Sequence, residues 1–199
     1  MAYRDPSLTS VVCDTLRRLA VNDDICKHLT AAGIVAELLR LWAENPLLDP
    51  RDSKAVAALL RQLANSDDVK KDIAEAEGGL AVVLKALKAA EESKAVAEQI
   101  LGLLAAVMLR HAEHAELLAD AGALGLALLT VKGLEAAPGV QRQACMFVRN
   151  AVARSERVKQ LALEAGAEAV VRQAKLLHPK PCGDVGSAAL RDLGFADYH

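Results

Sequence analysis

Apolar residues recur along the chain at two nested periods. Within a segment they are spaced by three and four, as at Val56, Leu59, Leu60 and Leu63, which is the pattern of an amphipathic helix. Between segments the pattern returns after 44 residues. The positions related in this way are Leu16, Leu60, Leu104 and Val148, and three residues later Leu19, Leu63, Val107 and Ala151. A helical pattern at a constant stride predicts a repeat protein.

Glycines and polar residues recur with the same spacing of about 44 residues. Gly33, Gly78, Gly122 and Gly166 are separated by 45, 44 and 44 residues. In the second repeat, the polar stretch 65–68 offers side-chain oxygens and negative charge to the start of a helix, and the glycines at 78–79 allow the backbone turn that ends it. We therefore predict three helices per repeat, here at about 53–64, 67–76 and 80–90.

Three segments depart from the regular pattern. Residues 93–97 copy residues 53–57 at an offset of 40 instead of 44, which predicts one extra turn in the third repeat's long helix. Residues 178–181 contain two prolines and are expected to break the chain before a last helix at 183–194. The first helix, about 7–20, is a long helix without the two that normally precede it, so its apolar side chains are expected to lie partly bare. We expect this end to pack on a neighbouring repeat or subunit, or to mark a fragment.

Composition favours a purely helical fold. Hydrophobic residues make up 53% of the 199 residues, but only two Phe, two Tyr and one Trp are present, so the core is expected to consist of Leu, Ala and Val. Ala and Leu favour helices, and strand-like runs are almost absent. We predict a single all-α domain over residues 1–199, an α-solenoid with units at about 7–52, 53–92, 93–138 and 139–182 and a terminal helix at 183–194.

Charge and cysteine content narrow the partners and the compartment. A net charge of −2 and a pI near 6.2 provide no general attraction to nucleic acid. The sequence contains no evident signal peptide, and its most apolar runs, 100–109 and 117–131, are too short or interrupted by Asp120 to span a bilayer. Cysteines 13, 26, 145 and 182 lack metal-site spacing and are expected to be small core residues. We expect a reducing compartment, the cytoplasm and also the nucleus.

The order of a short helix, a glycine, a second helix and a longer third helix that ends in Leu-x-x-Leu-Ala resembles the armadillo repeat. Four segments carry the resemblance, at residues 16–20, 60–64, 148–152 and 190–193. Segments 143–150 and 188–194 are more narrowly similar to the C-terminal part of one member of that family. The resemblance covers nearly the whole chain and implies a right-handed superhelix whose third helices line a concave groove.

The resemblance also implies how such a groove binds a partner, through a ladder of asparagines that holds the backbone of an extended peptide. The ladder position is occupied here by Arg18, Gln62, Ala106 and Asn150. The position one turn earlier, which carries Trp in nuclear-import receptors of the family, is occupied by Asp14, Ala58, Gly102 and Met146. Because only Asn150 matches, recognition of nuclear localisation signals is not expected.

Charge divides between the helices of each repeat. Arginines concentrate on the third helices, and acidic residues concentrate on the short first helices and their caps. We predict a protein or peptide partner with an acidic or phosphorylated extended segment. The predicted contacts are Arg17, Arg18, Arg61, Gln62, Arg142, Met146, Arg149, Asn150 and Arg154. Two alternatives stay open: a solvated charged surface with no ligand, and a structural subunit docked through its ends and outer face.

Catalytic chemistry finds little support in the sequence. His111 and His114 are one helical turn apart and resemble half of a metal site, but they fall where other repeats begin an exposed short helix, so we expect two surface histidines. Residues 183–186 lack the features of a phosphate-binding loop. No combination of nucleophile and base is evident. We therefore predict a non-enzymatic protein without metal or cofactor, and without a nucleic-acid or membrane partner.

Overall fold

The computed structural model describes residues 6–198, with side chains from residue 8 onward. Residues 1–5 and 199, which belong to the predicted domain, lie outside the described part. Within residues 6–198 every regular element is a helix. In chain order the helices are α1 (Pro6–Leu19), α2 (Asp23–Ala31), α3 (Ile34–Glu44), α4 (Pro50–Leu63), α5 (Asp67–Glu75), α6 (Gly79–Ala89), α7 (Lys94–Met108), α8 (Ala112–Asp120), α9 (Ala123–Gly133), α10 (Pro138–Val152), α11 (Glu156–Glu164), α12 (Ala167–Leu177) and α13 (Pro179–Leu193).

The predicted three-helix unit recurs with nearly constant helix lengths. The short helices α2, α5, α8 and α11 each have 9 residues, and the middle helices α3, α6, α9 and α12 each have 11. The long helices have 14 residues in α1 and α4 and 15 in α7, α10 and α13. The predicted all-α class is confirmed for the described residues.

The chain forms two compact units, Met1–Val107 and Met108–His199. In the first unit, the long helices α1 and α4 pack directly on each other, and α3 packs on α6. In the second unit, α10 packs on α13, and both contact α12. Each core follows the apolar stripe of its long helices: Leu60 and Leu63 in the first unit and Phe147 and Val148 in the second are at most 1% exposed.

Side-chain caps begin α2 and α11 as the sequence indicates, whereas the cap expected at residues 65–68 is wrong, because the Ser66 side chain makes no capping hydrogen bond at the start of α5. The side chain of Asn22 accepts a hydrogen bond of 2.9 Å from the backbone N–H of Ile25 at the start of α2. Ser155 accepts one of 3.2 Å from Val158 at the start of α11. These bonds satisfy N–H groups that have no partner within the helix.

Two predicted helix boundaries were wrong. Helix α7 begins 44 residues after α4 and has 15 residues against 14, so the third repeat has no extra turn. The prediction of an extra turn assumed that α4 begins at Ser53, the residue that Ser93 copies. Because α4 in fact begins at Pro50, the two helices have nearly the same length. Helix α13 begins at Pro179 instead of residue 183. Proline is tolerated in the first turn of a helix, where its missing N–H would have no helical partner.

All four cysteines are free and buried, as predicted, with exposures of 0 to 3%. Burial, assisted by the charges of Asp14 and Asp52, raises the pKa of Cys13 to about 11. At neutral pH this thiol is therefore protonated and behaves as a small apolar side chain.

No single described helix combines the length and the apolar character needed to cross a membrane. Helices α8 and α9 meet these criteria only when taken together, and they are bent by 76° at the break between them.

Asp52, in the first turn of α4, is a buried acidic residue of the first unit and is 1% exposed. Burial and the neighbouring charge of Asp49 raise the pKa of Asp52 above its ordinary value, against hydrogen bonding from Ser10. The positive end of the helix dipole also favours the carboxylate, but burial dominates. The charged form of Asp52 therefore destabilises the folded protein at neutral pH.

We expect Asp52→Asn to increase the free energy of unfolding by about 1 kcal/mol at pH 7. Because the folded pKa is raised, the wild type regains this stability as the pH falls through that pKa towards the unfolded value of about 3.8. The difference between the two proteins should therefore shrink in acid. Urea unfolding measured from pH 4 to pH 7 tests this, with exposed Asp72→Asn as the control that changes net charge equally. A destabilised Asp52→Asn variant at pH 7 would contradict the expectation.

Candidate protein-binding surface

The predicted contact residues divide between the two units. Arg17, Arg18, Arg61 and Gln62 lie in the first unit, on α1 and α4, and the remaining five lie in the second. Each set is described within its own unit.

Gln62, at the predicted ladder position of α4, already makes a side-chain hydrogen bond within the first unit. Its side-chain Nε2 donates a hydrogen bond of 2.7 Å to the backbone carbonyl of Ala20, directly after α1. The backbone carbonyl of Gln62 also accepts a contact of 3.9 Å from the Cys26 thiol. The amide that would bind a partner's backbone therefore ties two repeats together instead.

Arg61 lies across the neighbouring long helix. Its guanidinium donates to the side-chain oxygen of Gln99 on α7 at 3.4 Å, and it covers Gly102 so closely that a Cβ added there would lie 2.6 Å from the Arg61 Cζ atom. Glycine at position 102 thus makes room for the arginine side chain. Arg61 is half-buried and contributes to packing as well as to surface charge.

On α1, the two predicted arginines differ in their surroundings. The Nε atom of Arg17 lies 3.6 Å from a carboxylate oxygen of Asp14 on the same helix, so part of its charge is balanced locally. Arg18 is exposed. Arg18 is therefore the predicted contact in the first unit that presents its charge most openly to solvent.

The second unit brings several predicted residues onto one surface. Arg142, Met146 and Arg149 follow one another along a face of α10, and an Arg142 guanidinium nitrogen lies 3.4 Å from the Met146 sulfur. Arg149 Nε lies 3.5 Å from a carboxylate oxygen of Asp192 on α13. Asn150 is partly exposed on α10, whereas Arg154 lies in the turn after this helix.

Asp192 is shared by two arginines. Arg191, its neighbour on α13, approaches the other carboxylate oxygen at 3.0 Å, while the Asp192 side chain is only 20% exposed. We call the surface formed by Arg142, Arg149, Arg191 and Asp192 the arginine face. It carries three positive charges and one negative charge, and Arg149 and Arg191 are 46% and 55% exposed.

The prediction that His111 and His114 are both surface residues was wrong for His114, which is 2% exposed. The two rings stack with centroids 4.5 Å apart and planes inclined by 16°. The Glu113 carboxylate accepts a hydrogen bond of 2.9 Å from Nδ1 of His111. Its own backbone N–H and His111 hold the pKa of Glu113 below its usual value. His111, which directly precedes α8, covers one face of the His114 ring through this stacking.

Two contacts on these surfaces were not indicated by the sequence. Gly102 occupies the position one turn before the ladder, and its role as space for Arg61 depends on a residue 41 positions away. Asp192 breaks the predicted separation of acids from third helices. Its place next to Arg191 is visible in the sequence, but its contact with Arg149 requires the packing of α13 on α10.

Comparison with known proteins supports the repeat assignment. No protein-family model matches the chain. Armadillo repeat-containing protein 6 homolog of Drosophila melanogaster is 30% identical over 121 residues, which is 61% of this chain and 26% of that protein. Armadillo repeat-containing protein 6 of Homo sapiens is 35% identical over 121 residues, 57% of this chain and 24% of that protein. The chain thus spans about a quarter of the length of these relatives.

A solved structure supports the fold independently. The crystal structure of an engineered protein from the Northeast Structural Genomics Consortium superposes with a TM-score of 0.86, covering 97% of this chain and 77% of the other. At 20% identity this similarity concerns the fold alone. It confirms the predicted α-solenoid class. The curated relatives confirm the predicted resemblance to the armadillo repeat and, more narrowly, to armadillo repeat-containing protein 6.

Proposed function

We propose that this chain is a non-catalytic protein-interaction module that binds an acidic or phosphorylated extended segment on the arginine face. The similarity to armadillo-repeat proteins supports a role in protein interaction. The observation that carries the choice of ligand is that the arginine face combines three exposed arginines, Arg142, Arg149 and Arg191, with one acid, Asp192. A reducing compartment such as the cytoplasm is part of the proposal.

The arrangement around Asp192 indicates the chemistry of recognition. Two guanidinium groups already approach one carboxylate from two helices, at 3.5 Å and 3.0 Å. Hydrogen bonds between charged groups are stronger than neutral ones, and guanidinium groups suit the planar geometry of carboxylates and phosphates. A partner's acid can therefore join this network by engaging Arg142 and the terminal guanidinium nitrogens of Arg149.

The adjacent residues suit an extended backbone. Asn150 follows Arg149 directly and retains the amide that the resemblance assigns to peptide recognition. Met146 presents a partly exposed, flexible thioether between Arg142 and Arg149, which provides apolar contact with a side chain of the partner. We propose that Asn150 binds the partner's main chain while the arginines bind its acidic side chains.

We expect the chain to prefer acidic over basic peptides, and Arg149→Glu to weaken acidic-peptide binding by about tenfold, about 1.4 kcal/mol. The reason is that the substitution replaces an attraction with a repulsion beside Asp192. Fluorescence anisotropy with labelled acidic, phosphoserine-containing and basic peptide libraries measures the preference. Lys132→Glu is the matched control, because it changes net charge equally at an exposed position near the end of α9 that is not part of the arginine face.

Equal binding of acidic and basic peptides would contradict the proposal. Equal losses in Arg149→Glu and Lys132→Glu would also contradict it, because they would assign the effect to overall charge. Rising salt should weaken the interaction, since the charged groups on this surface are exposed.

The outer side of α1 favours a second candidate function, docking to a neighbouring helical repeat in a larger assembly. Its apolar side chains Leu8, Val11, Val12 and Leu19 are 60%, 55%, 46% and 56% exposed. The residues 44 positions later on α4 are Asp52, Ala55, Val56 and Leu63, which are at most 5% exposed. The face of α4 that packs against α1 is thus buried, whereas the corresponding face of α1 is exposed. Another long helix could pack on this exposed face in the same way.

One substitution separates the two candidates. Val11→Ser leaves acidic-peptide binding unchanged if the arginine face binds the partner. If instead the chain is a docked subunit, Val11→Ser disrupts assembly with its neighbour and Arg149→Glu does not.

A further inference from the structure

We propose that His111, Glu113 and His114 form a binding site for one divalent transition-metal ion, with Zn²⁺ as the most suitable probe. One donor atom from each of these side chains lies within 4.8 Å of the other two. The proposal departs from the sequence prediction, which expected two surface histidines and no metal. It is independent of the arginine face.

The donor set suits a borderline metal ion. Imidazole nitrogen and carboxylate oxygen are common zinc ligands, and two histidines with one carboxylate leave a fourth position for water. Donors around tetrahedral zinc lie about 3.3 Å apart, from metal–ligand distances of about 2.0–2.1 Å. The three donors lie within 4.8 Å of one another, and Glu113 Oε1 is already 2.9 Å from Nδ1 of His111, so binding requires the more widely spaced donors to move inward by about 1 Å.

Glu113 can move to close the site, whereas the two histidines are held in place. Glu113 is exposed, with its side chain 67% accessible, and can rotate towards the two rings. His114 is held in place by burial at 2% exposure, and His111 stacks against it with centroids 4.5 Å apart. The buried ring therefore fixes the position of the site, and the carboxylate closes it.

The negative charge of Glu113 is expected to contribute most to metal binding. The cluster sits at the N-terminus of α8, where the positive end of the helix dipole opposes a cation. Neutral histidines provide no compensating charge, whereas the Glu113 carboxylate provides one negative charge in the first turn. Removing that charge should therefore weaken metal binding more than removal of one ligand among several would.

Bound metal would link residues on both sides of the helix start. His111 precedes α8 and His114 lies within its first turn, so a shared ion would fasten the turn to the helix. A ligand that binds only the folded state increases stability by mass action. Zn²⁺ should accordingly raise the midpoint temperature of unfolding.

The test is titration of the full chain with ZnCl₂ by isothermal calorimetry in a non-coordinating buffer at pH 7.5. We expect saturable binding of one ion per chain. His111→Ala should lower the affinity by about tenfold, and Glu113→Gln, which keeps the side-chain shape on an exposed position, should lower it further because it also removes the charge. His28→Ala is the matched control, because His28 is an exposed histidine on α2, and it should leave the affinity unchanged.

Cobalt substitution distinguishes this site from the cysteines. A Co²⁺ spectrum with d–d bands but no thiolate-to-cobalt charge-transfer band supports ligation by His and Glu. A charge-transfer band, the absence of saturable binding, or unchanged Zn²⁺ affinity in both Glu113→Gln and His111→Ala would overturn the proposal. The increase in unfolding temperature with Zn²⁺ should also disappear in Glu113→Gln, a variant whose metal-free stability can be checked separately.

Discussion

Leu60→Ala is expected to lower the free energy of unfolding of the first unit by about 3 kcal/mol. Leu60 lies on the apolar stripe of α4 and is 0% exposed, as are Leu59 and Leu63 beside it. Truncation removes buried methyl and methylene groups and leaves a cavity that closely packed neighbours fill only in part. In a repeat protein, such a cavity also weakens the contact between adjacent repeats.

Leu16→Ala provides the matched control. Leu16 occupies the same position of the repeat on α1, 44 residues earlier, but it is only half-buried. Its truncation should cost about 1 kcal/mol, because it removes less buried area and opens no enclosed cavity.

Urea unfolding followed by tryptophan fluorescence measures both variants. Trp42 is the single tryptophan of the chain, is 4% exposed and lies in the first unit with both leucines. Equal costs for Leu16→Ala and Leu60→Ala would show that the apolar stripe of α4 is not the main source of stability in this unit.

The repeat itself could be predicted because it is encoded locally. Each helix carries its own apolar spacing, each short helix has polar residues at its start, and a glycine at the same place turns the chain into the next helix. These signals act within a few residues, and their recurrence after 44 positions supplied an independent check. The helix lengths of 9, 11 and 14–15 residues follow from this local chemistry.

The boundaries that failed were those where two local signals competed. Pro179 and Pro181 indicate a break when taken alone, but proline within a first turn is compatible with a helix, and α13 begins at Pro179. In the third repeat, a five-residue copy of residues 53–57 outweighed the constant stride in the prediction. The stride was the better guide because it reflects the packing of whole repeats.

The surface was less predictable, because its contacts join residues far apart in sequence. Arg61 was expected in a binding surface, yet it covers Gly102, and Gln62 bonds to Ala20. Neither partner could be inferred from the ladder position, since that depends on how α4 lies against its neighbours. In the second unit the arginines of α10 are exposed as their spacing implied, but only the structure brings Asp192 to Arg149.

Gly122→Val is expected to lower the free energy of unfolding of the second unit by about 2 kcal/mol. Gly122 joins α8 to α9 with φ of +79°, a left-handed conformation that costs residues with a Cβ atom about 1–2 kcal/mol and is least tolerated by β-branched side chains. A Cβ built at this position meets no atom within 4 Å. The cost is therefore one of backbone conformation, not of crowding.

Gly125→Ala, three residues away, is the control that separates the effect of backbone conformation from the effect of adding a side chain. Gly125 is exposed inside α9, has no neighbouring atom within 4 Å of an added Cβ, and lacks a positive φ. Alanine there should raise the free energy of unfolding by about 0.5–1 kcal/mol, because it reduces the freedom of the unfolded chain and favours the helix. Thermal unfolding by circular dichroism compares the two changes. Effects of opposite sign are expected, and a neutral Gly122→Val would mean that the turn between α8 and α9 does not require a left-handed residue. Because Gly33, Gly78 and Gly166 have φ of +85°, +68° and +83°, the same substitution at each should reproduce the loss, linking the glycine spacing directly to the stability of every repeat.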